Sequence, residues 1–387
     1  MSTALAPERL EALRPVLTVF PSTTFSGPND AYIDMVESVE PGQVVLDRRY
    51  SGGLSQSGLL ATFREDDALM EGRRGGVHHS YAGYLTLGGR KDQNVLRAVF
   101  VKPFLNARDC RNVEPVEHMV QEVAASDAIA RLYPYPVTFK TLGVARSYNG
   151  TPQLLTEFNL SVTALSNIFR PKNNFSPPPT TDQLVKGIHI AMYQAGAWLG
   201  GLGAAHRDFH VGNTARGIEY TPWFNDNETV VPLEKSAEVI QDTDDNRVVV
   251  LGDLNRFFHS TVNPNFTRPD VARKVFSILD NPQRMGAFLK TYQHSIAQNT
   301  AVSGLVVPER YYMTTGTFTG LALTATKAAR QKFTNTGIAR QSYNILDPRR
   351  VSRINQTEFY LIRGARKISR TMGSTAHRGR ILVCFYN

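Results

Sequence analysis

An aspartate followed five positions later by an asparagine, in His206-Arg207-Asp208-Phe209-His210-Val211-Gly212-Asn213, suits the transfer of a phosphoryl group. The chemistry explains the spacing. A carboxylate has to face the acceptor hydroxyl, while a neutral amide oxygen a short loop away can hold Mg²⁺ against phosphate charge. Asp208 suits the first task and Asn213 the second. A polar loop with helix-capping side chains could carry the same letters, so the elements that position it must decide.

Upstream, Thr180-Thr181-Asp182 offers N-cap residues, and Leu184, Ile188, Met192, Ala195 and Leu199 recur at helical spacing up to Gly200-Gly201, so a helix is expected to deliver the loop. Downstream, the β-branched run Arg247-Val248-Val249-Val250-Leu251-Gly252-Asp253 reads as a short strand ending in a carboxylate, which makes Asp253 the expected second Mg²⁺ ligand. Residues 217–246, rich in acids and carrying Pro222 and Pro232, read as an inserted surface excursion between the two.

A site for ATP also needs a cation for its α/β-phosphates, and Lys102 closes the apolar run Val95-Leu96-Arg97-Ala98-Val99-Phe100-Val101. A glutamate on a following helix would fix that lysine. Glu122 is the choice within Val116–Ala124, with Glu114 and Glu117 as competitors. Earlier, Gly52, Gly53 and Ser55 lie in a glycine-rich turn between Val44-Val45-Leu46 and Leu59–Phe63, whose backbone N–H groups could cradle phosphate. A rival turn holds Gly75 and Gly76, among more charged residues. Two further strands are expected at 137–142 and 153–158. Backbone groups from Glu157 to Asn159 would then meet an adenine edge, with Leu155 as a wall of the pocket.

The turn Ser51-Gly52-Gly53-Leu54-Ser55 after a strand, together with His-Arg-Asp-Phe-His-Val-Gly-Asn, resembles the aminoglycoside phosphotransferase and choline kinase branch of the protein-kinase-like superfamily, over roughly residues 44–260. The resemblance implies a two-lobed α+β fold and the cofactors ATP and Mg²⁺. It also implies Asp208 as base, Asn213 and Asp253 as metal ligands, and Lys102 paired with Glu122. Asp253-Leu254-Asn255 replaces Asp-Phe-Gly, no Ala-Pro-Glu follows, and a hairpin insertion is expected around 65–93, so a regulated protein-kinase activation segment is not visible.

The organisation expected is an N-terminal extension over 1–43, an N-lobe over 44–158, a C-lobe over 159–320 and a basic region over 321–387. That last region carries thirteen Lys or Arg against Asp347 and Glu358, although the whole chain of 387 residues is only +9. Such a field could attract a polyanion, either nucleic acid or an acidic partner. No apolar run approaches the length of a membrane helix, the N-terminus lacks a basic start and long apolar core, and Cys110 and Cys384 make no disulfide framework. A soluble cytoplasmic protein without a signal peptide is therefore expected. The function expected is transfer of the ATP γ-phosphate to a hydroxyl of a small-molecule or protein acceptor. The alternative is an inactive kinase-fold module that binds polyanions through its basic end.

Overall fold

Antiparallel pairing of β-branched and aromatic runs builds one six-stranded sheet in the first half of the chain, from β1 (Val44–Leu46), β2 (Leu60–Glu65), β3 (Tyr81–Gly88), β4 (Val95–Pro103), β5 (Thr141–Arg146) and β6 (Pro152–Glu157). The computed structural model describes residues 39–41, 44–46, 60–65, 81–88, 95–104, 115–147, 150–171, 177–233 and 244–335. The sheet order is β1-β5-β6-β4-β3-β2, which places β4, the strand of Lys102, between β6 and β3. In register, Lys102 faces Leu154 and Tyr81 faces Val101.

This order corrects two sequence expectations. The turn with Gly52, Gly53 and Ser55 lies outside the described residues, but its flanking strands β1 and β2 sit at opposite edges of the sheet and do not pair with each other. The adjacent antiparallel pair is β2 and β3, and the connection between them, 66–80 with Gly75 and Gly76, lies outside the described residues. Within the insertion expected at 65–93, strand β3 pairs with β2 and β4 in the main sheet, and residues 66–80 and 89–93 lie outside the described residues. The strand expected at 137–142 begins later, at Thr141, and Thr138 makes only an isolated bridge to Phe224.

Helix α1 (Pro115–Ala130) buries Met119, Val120, Val123 and Ala124 in a core shared with Phe104, Val144 and Leu154 of the sheet and with Trp198, Phe224 and Val230 from later in the chain. The polypeptide then passes through β7 (Thr163–Ala164) and the single turn α2 (Ser166–Phe169) into the long helix α3 (Thr181–Ala197). A capping box opens α3 as its sequence suggests. Thr180 Oγ1 accepts from the Gln183 N–H at 3.2 Å, and Gln183 Oε1 accepts from the Thr180 N–H at 2.9 Å.

After α3 a five-residue π turn, Trp198–Leu202, ends at Gly203 in the left-handed region with φ 56°. Short strands β8 (Ala204–Ala205), β9 (Thr214–Arg216), β10 (Pro222–Phe224) and β11 (Val231–Pro232) follow, with β9 paired to β10 and β8 to β11. Four helices complete the described chain: α4 (Asp244–Ser260), α5 (Pro269–Leu279), α6 (Pro282–Ser303) and α7 (Thr315–Asn335). Their second core gathers Leu184, Ile188, Leu254, Phe257, Phe288 and Phe318. The whole is mixed helix and sheet, and among the described residues no helix is long and apolar enough to cross a membrane. Residues 336–387, most of the basic region, lie outside the described residues.

The run expected as a strand at 247–253 is helical. Three valines in a row favour extended backbone only weakly, and packing overrides the preference. Val250, Leu254, Phe257 and Phe258 are buried at helical spacing while Val248 is exposed, so the helical period runs straight through Asp253.

Helix α3 lies against α6 at backbone contact. A Cβ on Gly196 would stand 2.5 Å from the Tyr292 carbonyl oxygen and 2.7 Å from Ser295 Cβ, and one on Gly200 would stand 2.5 Å from the Ile296 carbonyl oxygen. Since rigid backbone cannot yield as a side-chain tip can, Gly196→Ala is expected to destabilise the protein by about 2–3 kcal/mol. Urea denaturation reads this as a lower midpoint. A midpoint equal to the parent's would mean that the two helices part without cost.

Candidate active site around Lys102 and Asp208

The end of β4 carries Lys102 inward, where its ammonium meets three carboxylates. Nζ lies 3.2 Å from Glu122 Oε2 on α1, 2.7 Å from Asp226 Oδ1 and 2.5 Å from Glu228 Oε2. The structure thus brings together the lysine and glutamate paired in the sequence reading. It adds two acids that the reading had assigned to a surface excursion. The Glu228 N–H donates to Glu122 Oε2 at 2.9 Å, so the helix acid also clamps the backbone between the two new acids.

Of the excursion expected at 217–246, residues 222–233 are instead packed into the fold, and 234–243 lie outside the described residues. They carry β10, paired to β9, a buried 3-10 turn at Asn227–Thr229, and β11, paired to β8. Trp223, Phe224 and Val230 are buried, and Asn227 Nδ2 donates to Ser126 Oγ on α1 at 2.7 Å. Acids and prolines suggest an exposed loop only where the acids have no cation to bury against, and here Lys102 is that cation. The signal that could have located Asp226 is the aromatic run Trp223-Phe224 ending in Asn225-Asp226, a short hairpin beyond Asn213.

Charge in this cluster is unbalanced. Burial works to lower the Lys102 pKa, but Asp226, Glu122 and Glu228 prevail and hold it well above the usual lysine range. Burial pushes Glu122 well up, with Lys102 opposing and Glu228 and Asp226 reinforcing. Three acids around one ammonium leave a local excess of negative charge when all are ionised. Asp226 keeps 26% of its side chain exposed, and its backbone occupies the left-handed region at φ 62°, a conformation that Asp and Asn tolerate better than most residues. Such strain persists where the surroundings enforce it.

The second cluster is the loop itself. Asn213 Nδ2 donates both to the Asp208 carbonyl oxygen and to Asp208 Oδ2, each at 3.0 Å, so the two residues paired by spacing are joined in space. Burial works to raise the Asp208 carboxyl, but His210 and the charges of His206 and Arg256 outweigh it, and the pKa falls to about 2. At neutral pH Asp208 is an anion.

His206 ties the two clusters. Its Nδ1 lies 3.0 Å from Thr229 Oγ1 and its Nε2 lies 3.3 Å from the Asn225 carbonyl oxygen, so one imidazole spans the turn that carries Asp226. Its backbone N–H donates to Asp253 Oδ2 at 2.7 Å. Here the strand-end placement expected for Asp253 is corrected. It projects from helix α4, not from a strand end, it is 6% exposed, and its carboxylate holds the His206 amide and faces Arg256 Nη1 at 3.6 Å. Arg256 in turn donates to the Arg207 carbonyl, supporting a residue held at φ 67°. Burial raises the Asp253 pKa against the opposing pull of His206, Arg207 and Arg256.

Glu157 ends β6 with an exposed side chain, and its N–H already donates to the Lys140 carbonyl at 2.9 Å. Leu155 is buried one strand away from Lys102, opposite Val101. Among the described residues no group of three or more His, Cys, Asp or Glu side chains is arranged to hold a metal ion. The acids at Lys102 are held by the ammonium instead. No protein-family model matches the chain, and no curated protein matches it.

Proposed function

We propose that the chain is an ATP- and Mg²⁺-dependent phosphotransferase with a two-lobed, protein-kinase-like fold, moving the γ-phosphate to a hydroxyl of a small-molecule or protein acceptor. The observation that carries this reading is that His206, two residues before Asp208 on the loop, holds through the Asn225 carbonyl oxygen and Thr229 Oγ1 the turn whose Asp226 and Glu228 meet Lys102, while Asp208 itself is joined to Asn213. A lone ion pair could be structural. Three acids against one ammonium, one of them strained and partly exposed, suit a site that also receives a cation.

The residues fit Mg²⁺ bound in the manner usual for nucleotides, where one or two carboxylates act together with substrate phosphates and a full cage of side chains is not needed. Asp226 would hold the ion with the Oδ1 of Asn213, whose amide nitrogen is already engaged by Asp208. Glu228 stands beside Asp226 on the same lysine. When bound, the ion neutralises phosphate charge. Lys102 binds the α/β-phosphates, Glu122 keeps that ammonium extended from the sheet, and the Asp208 carboxylate orients the acceptor hydroxyl and takes its proton late. A base of such low pKa suits a loose transition state, in which the hydroxyl needs alignment more than early deprotonation.

The test begins with thermal stabilisation by ATP with and without Mg²⁺, followed by analysis of ADP and phosphorylated product. Stabilisation without turnover on any acceptor would favour the inactive-module reading. Asp226→Asn retains tolerance of positive φ and removes one charge, so it is expected to cut turnover roughly 100-fold and weaken the Mg²⁺ dependence, with melting temperature unchanged or higher. Asp253→Asn is expected to lower the melting temperature instead, because the His206 amide and Arg256 lose their charged partner. An Asp226→Asn enzyme with the parent's Mg²⁺ titration would remove Asp226 from the site.

A further inference from the structure

His210 takes no part in the reading above, yet three contacts fix its ring. The Gly212 N–H donates to its Nδ1 at 2.9 Å, Phe266 packs against the ring with centroids 4.7 Å apart, and Nε2 faces Asp208 Oδ2 at 3.6 Å. A backbone N–H can only donate, so Nδ1 is the acceptor and the ring proton belongs on Nε2. That proton is directed at the carboxylate.

Glycine at 212 serves the same contact. A Cβ there would stand 2.7 Å from His210 Cε1 and 2.9 Å from Nδ1, so any side chain at 212 displaces the imidazole. The next anchor is Val211, whose N–H donates to Ser260 Oγ on α4 at 3.1 Å, fixing the loop that carries the ring. Asp208 Oδ2 thus faces Asn213 at 3.0 Å and His210 at 3.6 Å, and Oδ1 accepts no hydrogen bond from the described residues.

We propose that His210 is a positioning residue for Asp208. Its Nε2–H, in the tautomer set by the Gly212 amide, holds Oδ2 together with Asn213, so that Oδ1 is the oxygen presented to the acceptor hydroxyl. The role rests on the phosphotransfer reading. At 3.6 Å the contact is long for a hydrogen bond, and contacts of this kind tighten when substrate closes the site. His210 touches neither ATP nor acceptor in this account, so its removal affects alignment and not nucleotide binding. The expected loss is roughly 10- to 100-fold in kcat, the usual scale for a group that orients another functional side chain.

The experiment compares His210→Ala, His210→Gln and His210→Phe with the parent, measuring kcat, KM for ATP, melting temperature and the ¹⁵N shifts of the His210 ring in histidine-labelled parent protein. In His210→Gln the amide nitrogen can reach the position of Nε2. The expected result is low kcat for Ala and Phe, partial recovery for Gln, parental KM for ATP and ring shifts of the Nε2–H tautomer. Full kcat in His210→Ala, or equal loss in Ala, Gln and Phe, would overturn the donor role. Ring shifts of the Nδ1–H tautomer would overturn it whatever the kinetics. If the parent itself turns over no ATP, the phosphotransfer reading fails and the catalytic role of His210 falls with it. Parental turnover with unaffected His210 variants defeats this inference alone.

Discussion

Lys102→Met is expected to lower the stability of the protein and its turnover together. The ammonium is 8% exposed and is the partner of Glu122, Asp226 and Glu228, so its loss leaves three neighbouring acids without their cation. Removing one partner from a buried ion pair costs about 3–5 kcal/mol. In a chain of this size that lowers the melting temperature by on the order of 10 °C. The acids themselves set the pH dependence. Burial already raises the Glu122 carboxyl, and loss of the lysine removes the charge that opposes that rise; a carboxyl whose folded pKa is raised favours the fold below its unfolded pKa and loses that contribution as pH climbs through the folded one. The deficit should therefore shrink on acidification. Glu228→Gln in the Lys102→Met background should restore part of the lost stability, and the double-mutant cycle gives the coupling. A Lys102→Met protein with the parent's melting curve and the parent's KM for ATP would show that the cluster supports neither fold nor site.

The second large effect is expected for Asp208→Asn. The substitution keeps the size of the side chain, but removes the negative charge that orients and deprotonates the hydroxyl, and general-base loss costs about 10²–10⁴ in rate. An expected fall of roughly 10³-fold in kcat corresponds to about 4 kcal/mol of transition-state stabilisation. KM for ATP should stay near the parent's, because the nucleotide phosphates are assigned to Lys102. The pH profile gives an independent check. With its folded pKa depressed to about 2, Asp208 favours the fold above its unfolded value near 3.9 and loses that contribution as pH falls through about 2. It is ionised throughout the neutral range, so any acid limb of kcat above about pH 5 belongs to another group. Turnover within a few-fold of the parent's would take the base role away from Asp208.

The parts of this arrangement that were legible in the sequence are those whose signals are local. The N-cap among Thr180-Thr181-Asp182, the helical spacing from Leu184 to Ala195 and the five-residue interval from Asp208 to Asn213 are local patterns, and the structure places the cap at Thr180, the helix over Thr181–Ala197 and Asn213 against Asp208. Lys102 and Glu122 were legible because a strand end and a following helix suffice to place them. Asp226 was not, since its burial depends on an ammonium 124 residues earlier, and no local pattern tells a buried acid from a solvated one. Asp253 was misplaced for the opposite reason. Three consecutive valines suggested a strand through a local preference that is only weak, and the helical burial of Val250, Leu254, Phe257 and Phe258 overrode it. The glycine turn at Gly52 and Gly53 looked like a hairpin because two apolar runs flank it, yet strand adjacency is a property of the whole sheet and places β1 beside β5.

The long separation between Lys102 and its later acids has a consequence for synthesis on the ribosome. Lys102 and Glu122 emerge within twenty residues of each other and make a balanced pair, while Asp226 and Glu228 follow 124 and 126 residues after the lysine. At roughly 5–20 residues per second, that is a delay on the order of 10 s. During it the nascent sheet and its first helix can settle around a neutral core. Closure of the remaining chain then brings two more negative charges to that core, drawn to the ammonium at 2.7 and 2.5 Å but repelled by Glu122 and by each other. Cations in the folding medium should speed this late step and leave the earlier one unchanged, a dependence that a released chain refolding from denaturant would show as a slow phase sensitive to divalent ions.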